Sequence, residues 1–274
     1  NEPPTESMRV VSARTLRYDR AAMETRAIEV AVEAAINIVY GDTPYAVMMT
    51  TPQDIQDFVY GFSLTEGVID RLEQIRGVQI SQRNDGYVAS VDLTPDALRR
   101  HMARRRNLSG RTGCGLCGVE DLEQIPSATR PVGARDIAPA AIAVALEEMH
   151  RKQDLFRATR AVHGAAWCAL DGSVRLVRED VGRHNALDKM IGACLRAGLA
   201  ADDGFALITS RCSFEMVEKT AMFGAPALVS VSAPTSLAIE RAQALGVSLF
   251  AIARDDARCE EQIDQSHPDA DLRQ

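Results

Sequence analysis

Three short apolar segments near the end of the chain, separated by helical patterns, constrain the fold most strongly. They are residues 205–209, 227–231 and 247–251, and the helical patterns between them cover about 214–223 and 237–245. This order predicts parallel strands, because a parallel pair needs a long crossover connection and a helix supplies it. In open sheets of this kind ligands bind beyond the carboxyl ends of the strands. The pattern therefore predicts an α/β fold with its site in the loops that follow these strands.

Two of those loops carry polar residues and lead directly into predicted helices. Residues 210–213 read Ser-Arg-Cys-Ser, and residues 232–236 read Ser-Ala-Pro-Thr-Ser. Free N–H groups and the helix dipole at such a helix start favour an anion. Each of Ser213, Thr235 and Ser236, taken singly, is more commonly a plain helix cap. The two loops together with Arg211 favour a phosphate site.

Residues 178–189 combine six charged side chains with a histidine and an asparagine at the start of a predicted helix. The apolar side chains of that helix, beginning at Leu187, face a core, and Asp180 is placed to cap its first turn. A single histidine is usually a hydrogen-bonded structural group. Here, however, a cluster near the positive end of the helix favours binding of a phosphate or a polar heterocycle; its members are Arg183, His184, Asn185 and Lys189.

The front part of the chain predicts an α+β unit. A Gly-Asp-Thr-Pro turn joins two strand-like segments, residues 35–40 and 45–50, and indicates a hairpin. Two more strands are predicted at residues 78–81 and 87–93. The helix that follows them opens at Thr94 and Pro95 and runs into consecutive arginines.

The helix after the hairpin has recognisable start signals. Thr51 is predicted to be its N-cap, and Pro52 suits the first helical position. Asp54 stands where a capping box would place its acidic residue. Apolar residues then recur at helical spacing from Ile55 until Gly67 ends the segment.

The middle of the chain predicts one long helix and a second hairpin. The helix covers residues 139–157 and carries an exposed charged face. The hairpin consists of residues 162–170 and 174–178, joined by an Asp-Gly-Ser turn. It places His163 and Arg178 near strand ends.

Cys114 and Cys117 form a Cys-x-x-Cys pair in a glycine-rich stretch that follows a run of arginines. The thiolate is the nucleophilic form of cysteine, and nearby arginine charge or a second thiol lowers the pKa of such a cysteine. Gly113 and Gly115 leave the backbone on either side of Cys114 weakly restrained. These features predict a mobile loop that carries reactive sulfur.

Other uses of a Cys-x-x-Cys pair are less consistent with this chain. A structural zinc site needs a second ligand pair, and the cysteines at 168, 194, 212 and 259 are isolated. The zinc-deaminase pattern requires His-x-Glu, whereas His163 is followed by Gly164 and Ala165. A thioredoxin-type pair would begin a helix directly after a strand, and this pair follows a basic helix. We expect no structural zinc, and the alternatives are a disulfide oxidoreductase and a non-catalytic nucleotide-binding module.

Composition and charge disfavour several classes of protein. The 274 residues are 46% hydrophobic, sufficient for a sizeable core, and contain no apolar run of membrane-spanning length. The first residues lack the basic and apolar regions of a secretory signal. The net charge of −7 disfavours nucleic acid as a partner, and the scattered cysteines do not form a disulfide scaffold. We expect a cytoplasmic protein without membrane contact, with Cys168 and Cys194 in its core.

Five segments, in fixed order along the chain, closely resemble the FdhD family. They are residues 111–120 (Arg-Thr-Gly-Cys-Gly-Leu-Cys-Gly-Val-Glu), 163–165, 178–189, 210–217 and 232–236, and the resemblance spans about residues 35–254. It implies a sulfurtransferase that takes persulfide sulfur from a cysteine desulfurase. The sulfur passes to the molybdenum cofactor, bis-molybdopterin guanine dinucleotide, before its insertion into formate dehydrogenase. The resemblance also implies a homodimer.

The same resemblance implies a fold and a domain division. The fold is an α/β, cytidine-deaminase-like three-layer sheet without the deaminase zinc site, with a βαβαβ C-terminal half and a smaller α+β N-terminal part. The predicted divisions are residues 1–108 for the N-terminal part, 109–130 for the mobile loop and 131–274 for the α/β core. Strands of the front part can join that core.

The resemblance also assigns site residues. Cys114 carries the persulfide and Cys117 is a supporting or resolving thiol, and the two roles can exchange. Residues implied to contact the cofactor, or guanine nucleotides such as GDP as fragments of it, are His163, Arg178, Asp180, Arg183, His184, Asn185, Lys189, Arg211, Ser213, Glu215, Pro234, Thr235, Ser236, Ile252, Ala253, Arg254, Asp255, Asp256 and Ala257. In the tail Arg254 fits the family pattern, whereas the acidic pair Asp255 and Asp256 departs from it.

Overall fold

The computed structural model describes residues 6–17, 22–83, 86–106, 128 and 131–251. In these ranges the strands are β1 (Met8–Arg17), β2 (Ala22–Ala31), β3 (Ala34–Tyr40), β4 (Thr43–Thr50), β5 (Ile75–Arg83), β6 (Gly86–Leu93), β7 (His163–Ala169), β8 (Val174–Asp180), β9 (Gly204–Ile208), β10 (Ala227–Ser230) and β11 (Ser248–Ala251). The helices are α1 (Ile55–Thr65), α2 (Pro95–Arg106), α3 (Pro139–Lys152), α4 (Asp154–Thr159), α5 (Arg183–Ala197), α6 (Phe214–Phe223) and α7 (Ser236–Leu245), with a 3-10 turn at Leu72–Gln74. The α/β class is confirmed.

The back of the chain forms a five-stranded sheet in the order β11-β10-β9-β7-β8. Strands β9, β10 and β11 are parallel and are connected by α6 and α7, which confirms the predicted βαβαβ unit. Strand β7 runs antiparallel to both β8 and β9, so β8 points the same way as the three parallel strands. The carboxyl ends of β8 to β11 therefore lie along one edge of the sheet, together with His163 at the start of β7. We call this edge the carboxyl edge.

Helices cover both faces of this sheet. Side chains alternate between the faces along each strand, so Cys168 and Phe205 pack with α3 on one face. Trp167 and Ile208 point to the other face and pack in the core that contains α5, α6 and α7. Burial from both sides explains why β9 is apolar and buried along its whole length. The result is the three-layer arrangement.

The front of the chain forms a four-stranded sheet in the order β4-β3-β6-β5. The predicted hairpin is confirmed as β3 and β4, and the two later strands as β5 and β6. Ile36, Ile38 and Tyr40 of β3 are fully buried in the same core as α1 and α5. Because that core lies between the two sheets, it joins the front of the chain to the back.

Helices α1 and α5 cross in close contact at two glycines. A Cβ atom on Gly61 would lie 1.8 Å from the carbonyl oxygen of Asp188, and one on Gly192 would lie 1.8 Å from that of Asp57. Protein interiors are close-packed, so even one added carbon at this spacing must push the helices apart. The crossing therefore depends on glycine at both positions.

Buried ion pairs hold the same helices in register. Asp57 of α1 accepts a hydrogen bond from Arg178 Nε at 2.7 Å, and its side chain is only 4% exposed. Lys219 of α6 donates to both carboxylate oxygens of Asp188 at 2.9 Å, and to Thr65 Oγ1 of α1 at 2.9 Å. These contacts connect β8, α5 and α6 to the front helix.

The antiparallel ribbon of β1 and β2 was not predicted from the sequence. Its ten residue pairs are regular, but most of its described side chains are exposed, and Val10 is 66% exposed. None of its described side chains is fully buried, and the half-buried ones, such as Val11 and Ile28, alternate with exposed residues.

The predicted start of α1 is wrong. The helix begins at Ile55, and its N-cap, Asp54, has a φ of 58° and makes no side-chain cap bond. Thr51 does not cap the helix. Its N–H donates to Asp180 Oδ2 at 3.0 Å, and its hydroxyl accepts from the N–H of Val181 at 3.2 Å. The polar groups of Thr51 therefore bond to the end of β8 and are not used to cap α1.

The single helix predicted at residues 139–157 is also wrong, because the chain breaks at Gln153. Helix α3 ends at Lys152, and Gln153 has a ψ of 77°, outside the helical range. Glu179 of β8 then accepts hydrogen bonds from the N–H groups of Leu155 and Phe156, at 2.9 Å each, and so caps the start of α4. A carboxylate from a neighbouring strand therefore starts a second helix.

The predicted domain divisions at residues 108 and 130 fall outside the described residues and stay predictions. Within the residues that are described, no helix has the length and apolar character needed to cross a membrane.

Candidate functional site

Helices α5, α6 and α7 begin at the carboxyl edge. Their N-cap residues are Gly182, Ser213 and Thr235. The first N–H groups of a helix have no partner within it, and the helix dipole adds positive potential there. Three such starts at one edge favour an anion.

Backbone hydrogen bonds tie the two predicted binding loops together. The N–H of Thr235 donates to the carbonyl of Cys212 at 3.0 Å, and the N–H of Cys212 donates to the carbonyl of Ala233 at 3.3 Å. The hydroxyl of Ser230 donates to the carbonyl of Ser210 at 2.9 Å. The starts of α6 and α7 are therefore held in a fixed relative position.

The two loops cap their helices differently. Thr235 Oγ1 accepts from the N–H of Ala238 at 3.2 Å, so Thr235 is an ordinary N-cap. Ser213 makes no such bond to α6, and its buried hydroxyl has no hydrogen-bond partner among the described residues. Buried polar groups are nearly always paired. The Ser213 hydroxyl is therefore available to a ligand.

Charged side chains occupy the first turns of α5 and α6. His184 Nε2 lies 3.0 Å from Glu215 Oε2. This distance is short enough for an ion pair, but the two groups are not aligned for a regular hydrogen bond. Burial would raise the pKa of Glu215, but the contact with His184 and the charges of Lys219 and Arg183 hold it below its usual value. The Nε of Arg183 is shielded from solvent and has no partner within the described part of the chain.

His163 lies at the carboxyl edge and pairs with Asp180 across β7 and β8. Burial lowers the pKa of His163, and the positive charge of Arg183 lowers it further. The strand start is fixed by Thr209, whose Oγ1 accepts from the N–H of Gly164 at 2.9 Å. We did not single out Thr209 from the sequence; a polar residue that ends an apolar strand was its only signal.

Three predicted site residues are buried together beneath the carboxyl edge, and we call this cluster of Asp180, Asn185 and Lys189 the buried node. Asp180 and Lys189 are fully buried, with Lys189 Nζ 2.7 Å from Asp180 Oδ2. Lys189 also donates to the carbonyl of Thr51 at 2.8 Å, and Asn185 Nδ2 donates to the carbonyl of Met49 at 2.9 Å. These bonds fasten the start of α5 to the end of β4.

Asp180 is not the N-cap that the sequence predicted for α5. Gly182 holds that position and contributes no side-chain bond. Asp180 Oδ1 instead accepts from the N–H of Gly182 at 2.7 Å and from Asn185 Nδ2 at 3.1 Å. The node thus fixes the loop that presents Arg183 and His184.

Arg178 is not brought together with Arg183 and His184. Its guanidinium Nε lies 2.7 Å from Asp57 and 3.5 Å from Asp54, at the start of α1. Of the remaining predicted residues, Arg211, Thr235 and Ser236 are exposed and Pro234 is half-buried. The other predicted site residues lie outside the described ranges: Cys114, Cys117, Ile252, Ala253, Arg254, Asp255, Asp256 and Ala257.

Ala128 is the first described residue after the Cys-x-x-Cys pair, and both polar atoms of its backbone are held. Its N–H donates to Glu218 Oε2 at 2.7 Å, and its carbonyl accepts from Arg241 Nη2 at 3.4 Å. Glu218 lies three residues beyond Glu215 on α6, or about 4.5 Å along the helix axis. The chain that follows the cysteine pair is therefore held by α6 at a point within one helical turn of Glu215. The sequence did not reveal the roles of Glu218 and Arg241, because both look like ordinary charges on helices.

The three cysteines within the described residues are buried, and unlike reactive cysteines they are not accessible to a partner. Burial raises the pKa of both Cys168 and Cys212 to about 12, and burial also raises the pKa of Cys194. The prediction that Cys168 and Cys194 lie in the core is confirmed. Among the residues described, no group of three or more His, Cys, Asp or Glu side chains could hold a metal ion.

The fold and the site define a class of protein: an α/β protein with three helix starts along one sheet edge, and with Ala128 held by the helix that begins there. Comparison with known families identifies the class further. The chain belongs to the FdhD/NarQ family, whose model matches residues 31–259.

Individual relatives cover nearly the whole chain. The sulfur carrier protein FdhD of Xanthomonas euvesicatoria pv. vesicatoria is 43% identical over 257 residues, covering 92% of this chain and 91% of the relative. The sulfur carrier protein FdhD of Cupriavidus necator is 43% identical over 254 residues, covering 92% and 87%. The crystal structure of a Desulfotalea psychrophila protein, described as a formate dehydrogenase accessory protein, aligns with a TM-score of 0.69 at 25% identity, covering 92% and 95%.

Proposed function

We propose that this protein is a sulfurtransferase that accepts persulfide sulfur from a cysteine desulfurase. It then delivers the sulfur to bis-molybdopterin guanine dinucleotide for formate dehydrogenase. The relatives named as sulfur carrier proteins and the formate dehydrogenase accessory protein support this role. The observation that carries the proposal is the anchoring of Ala128 on α6, which brings the chain back from its cysteine pair beside an anion-binding edge.

Loading begins with the thiolate of Cys114. It attacks the outer sulfur of the donor's persulfide, a new S–S bond forms, and the donor cysteine leaves as a thiolate. The product is a persulfide on Cys114. No net oxidation occurs, because one S–S bond replaces another.

Delivery uses the second thiol as a resolving group. The thiolate of Cys117 attacks the inner sulfur of the persulfide, so that a Cys114–Cys117 disulfide forms and the outer sulfur leaves as sulfide. The two cysteines supply the two electrons that reduce this sulfur. A thiol reductant then restores the pair, and the two cysteines can exchange roles.

The carboxyl edge fits the anionic substrate. Its guanine dinucleotide parts carry pyrophosphates, which suit the N–H groups at the starts of α5, α6 and α7. The Ser213 hydroxyl and Arg183 Nε are buried polar atoms without partners among the described residues, and both can donate to phosphate oxygens. Arg211 adds an exposed positive charge beside the same loops. Asp180, Asn185 and Lys189 position these groups from below.

The proposal includes the partners of the reaction. They are the cysteine desulfurase, formate dehydrogenase and a second copy of this chain in a homodimer, acting in the cytoplasm. The segment after β11, Ile252 to Ala257, is proposed as a further contact to the nucleotide part of the substrate.

Substitution of the carrier thiol tests the proposal in cells. A strain whose only copy carries Cys114→Ser should lose formate dehydrogenase activity, while the purified variant keeps the melting temperature of the wild type. Cys168→Ser is not a suitable control because that residue is in the core. Ser7→Cys, remote from the pair in sequence, controls for expression and thiol content. Normal enzyme activity in the Cys114→Ser strain would refute the assignment.

A further inference from the structure

The two faces of the ribbon of β1 and β2 differ in exposure. Val11, Ala13, Ile28 and Val30 share one face and are half-buried, and β2 contacts α4. Because side chains alternate between the two faces of a strand, the residues between these form the opposite face. We call that surface the outer face of the ribbon, and each of these members is exposed: Met8, Val10, Ser12, Arg14, Met23, Thr25, Ala27 and Glu29.

Large hydrophobic side chains are present on the outer face. Met8, Val10 and Met23 are 40%, 66% and 54% exposed. A two-stranded ribbon is only marginally stable in water unless a further layer covers it. Three large apolar side chains on one narrow face therefore favour a protein partner.

The register of the ribbon makes its outer face self-complementary. Ser12 faces Ala27 at the centre of the outer face, and two such small side chains permit a second sheet to approach closely. Arg14 lies two residues after Ser12, and Glu29 lies two residues after Ala27. Because the strands are antiparallel, one positive and one negative charge lie at equal distances on opposite sides of the centre.

These two charges do not pair with each other within one ribbon. Arg14 faces Thr25, and Glu29 faces Val10. Arg14 and Glu29 are four residues apart along the ribbon, or about 13 Å, which is too far for an ion pair. Within the described ribbon, every neighbour of either charge on the outer face is uncharged. Both charges are thus available to a partner.

A second copy can cover this face with two-fold symmetry in two ways. If the axis runs parallel to the strands, Arg14 lies beside Arg14 of the partner subunit, and the two Glu29 side chains also meet. If the axis runs across the strands, through Ser12 and Ala27, Arg14 lies beside Glu29 of the partner subunit. Only the second arrangement pairs opposite charges, and its symmetry forms the pair twice.

We propose that the outer face of the ribbon binds the same face of a second copy of this chain, with the two-fold axis across the strands. Two pairs of Arg14 and Glu29 flank a centre of small side chains, and the apolar residues lie towards the ends. The inference rests on the proposed function for the homodimer, and it names the surface that joins the two copies. One ribbon face is smaller than the roughly 800 Å² per partner of a standard interface, so the dimer dissociates in the micromolar range.

Charge reversal tests this pairing. Sedimentation velocity of the full-length protein, over the micromolar range, measures the dissociation constant of the dimer. The variants are Arg14→Glu, Glu29→Arg and the double variant, in which the two charges of each pair are exchanged. Arg26→Glu is the matched control, because Arg26 is an exposed arginine of the same ribbon that faces Ala13 and does not belong to the outer face.

We expect the wild type to dimerise and each single variant to dimerise about tenfold more weakly, because both symmetric contacts become contacts between like charges. The double variant should return to within about threefold of the wild type, and Arg26→Glu should match it. Circular dichroism checks that each variant is folded. If Arg14→Glu fails to fold, Arg14→Gln replaces it, and loss of the charge predicts a smaller weakening.

Three results would overturn the proposal. They are a wild type that stays monomeric, single variants that dimerise like the wild type, and a folded double variant that remains as weak as the single variants. A cysteine desulfurase is the other candidate occupant of the outer face. If Arg14→Glu keeps the dimer but loses desulfurase binding in the same experiment, the face binds desulfurase and the proposal is wrong.

Failure of this inference is distinguishable from failure of the proposed function. Sulfur loading is measured on the peptide that contains Cys114, in the same samples. A dimer that is broken by the single variants and restored by the double variant, but takes up no sulfur, would contradict only the carrier role. Sulfur loading by a dimer that is insensitive to these variants would remove only the ribbon contact.

Discussion

Replacing Lys189 with methionine should destabilise the protein strongly, although the residue lies in a motif predicted to bind ligand. Lys189 and Asp180 are both fully buried, and their charged atoms are 2.7 Å apart. Removing the lysine leaves the Asp180 carboxylate buried without its counter-charge. Loss of one partner of a buried pair costs about 3–5 kcal/mol, a large part of the stability of a domain.

The companion variant Asp180→Asn should cost a similar amount, because it leaves the Lys189 ammonium buried and unpaired. The double variant removes both charges. Its cost should therefore be less than the sum of the single costs, with a coupling free energy of about 2 kcal/mol or more. Thr51 donates to Asp180 Oδ2 and Gly182 donates to Oδ1, so Asp180→Asn, which has one acceptor oxygen, also removes one of these two hydrogen bonds.

Urea unfolding of the full-length protein, followed by circular dichroism, measures all three variants. Arg183→Met on the same helix is the matched control, since Arg183 is half-buried and its Nε has no partner in the described residues. We expect that control to change stability by less than about 1 kcal/mol. Additive single and double costs, or a stable Lys189→Met variant, would refute the view that Asp180 and Lys189 form a structural node.

Three further predictions concern packing, pH and thiol reactivity. Gly192→Ala should unfold the protein or lower its melting temperature by many degrees, because the added Cβ would overlap the Asp57 carbonyl. In the control Gly198→Ala the added Cβ meets no atom and only strains a left-handed turn, so equal effects of the two variants in a thermal melt would contradict the tight helix crossing. The pKa of Glu215 is lower in the folded state than its usual value of 4.5, so the wild type should be more stable than Glu215→Gln above pH 4.5 and should lose this advantage as the pH falls through the folded pKa. If urea unfolding shows that the stability advantage of the wild type grows below pH 4.5, this sign is wrong. Cys168, Cys194 and Cys212 should resist iodoacetamide at pH 8 in the folded protein, because burial raises the pKa of each thiol. If peptide mass spectrometry shows these three cysteines labelled as fast as free cysteine, their burial is contradicted.

The elements that the sequence predicted well are those buried by periodic apolar residues. Strands β9, β10 and β11 are continuous apolar runs, and their alternation with α6 and α7 fixes the topology. The ribbon of β1 and β2 has no continuous apolar run and no fully buried described side chain, so its sequence signal is much weaker.

Helix starts were harder to predict because distant groups decide them. The N–H and hydroxyl of Thr51 serve the end of β8 rather than α1, and Glu179 starts α4 from a different strand. Both partners are more than twenty residues away in sequence. Capping rules consider only neighbours along the chain, so they cannot find such contacts.

The motif at residues 178–189 shows how far site prediction reaches. Its composition correctly indicated an unusual cluster at a helix start, but the sequence does not reveal which side chains turn inward. Asp180, Asn185 and Lys189 are buried, Arg178 binds α1, and Arg183 and His184 remain at the edge. Gln153 and Glu218 gained their places only through tertiary contacts, which composition does not encode.

The most direct test of the sulfur-carrier account is the mass of the peptide that contains Cys114 and Cys117. The protein is incubated with a cysteine desulfurase and cysteine, digested without reductant and measured by mass spectrometry, with Cys114→Ser treated in parallel. The account predicts a gain of one sulfur atom on the wild-type peptide and no gain on the variant peptide. A peptide that forms only an internal disulfide, without added sulfur, would contradict the account and favour a disulfide oxidoreductase.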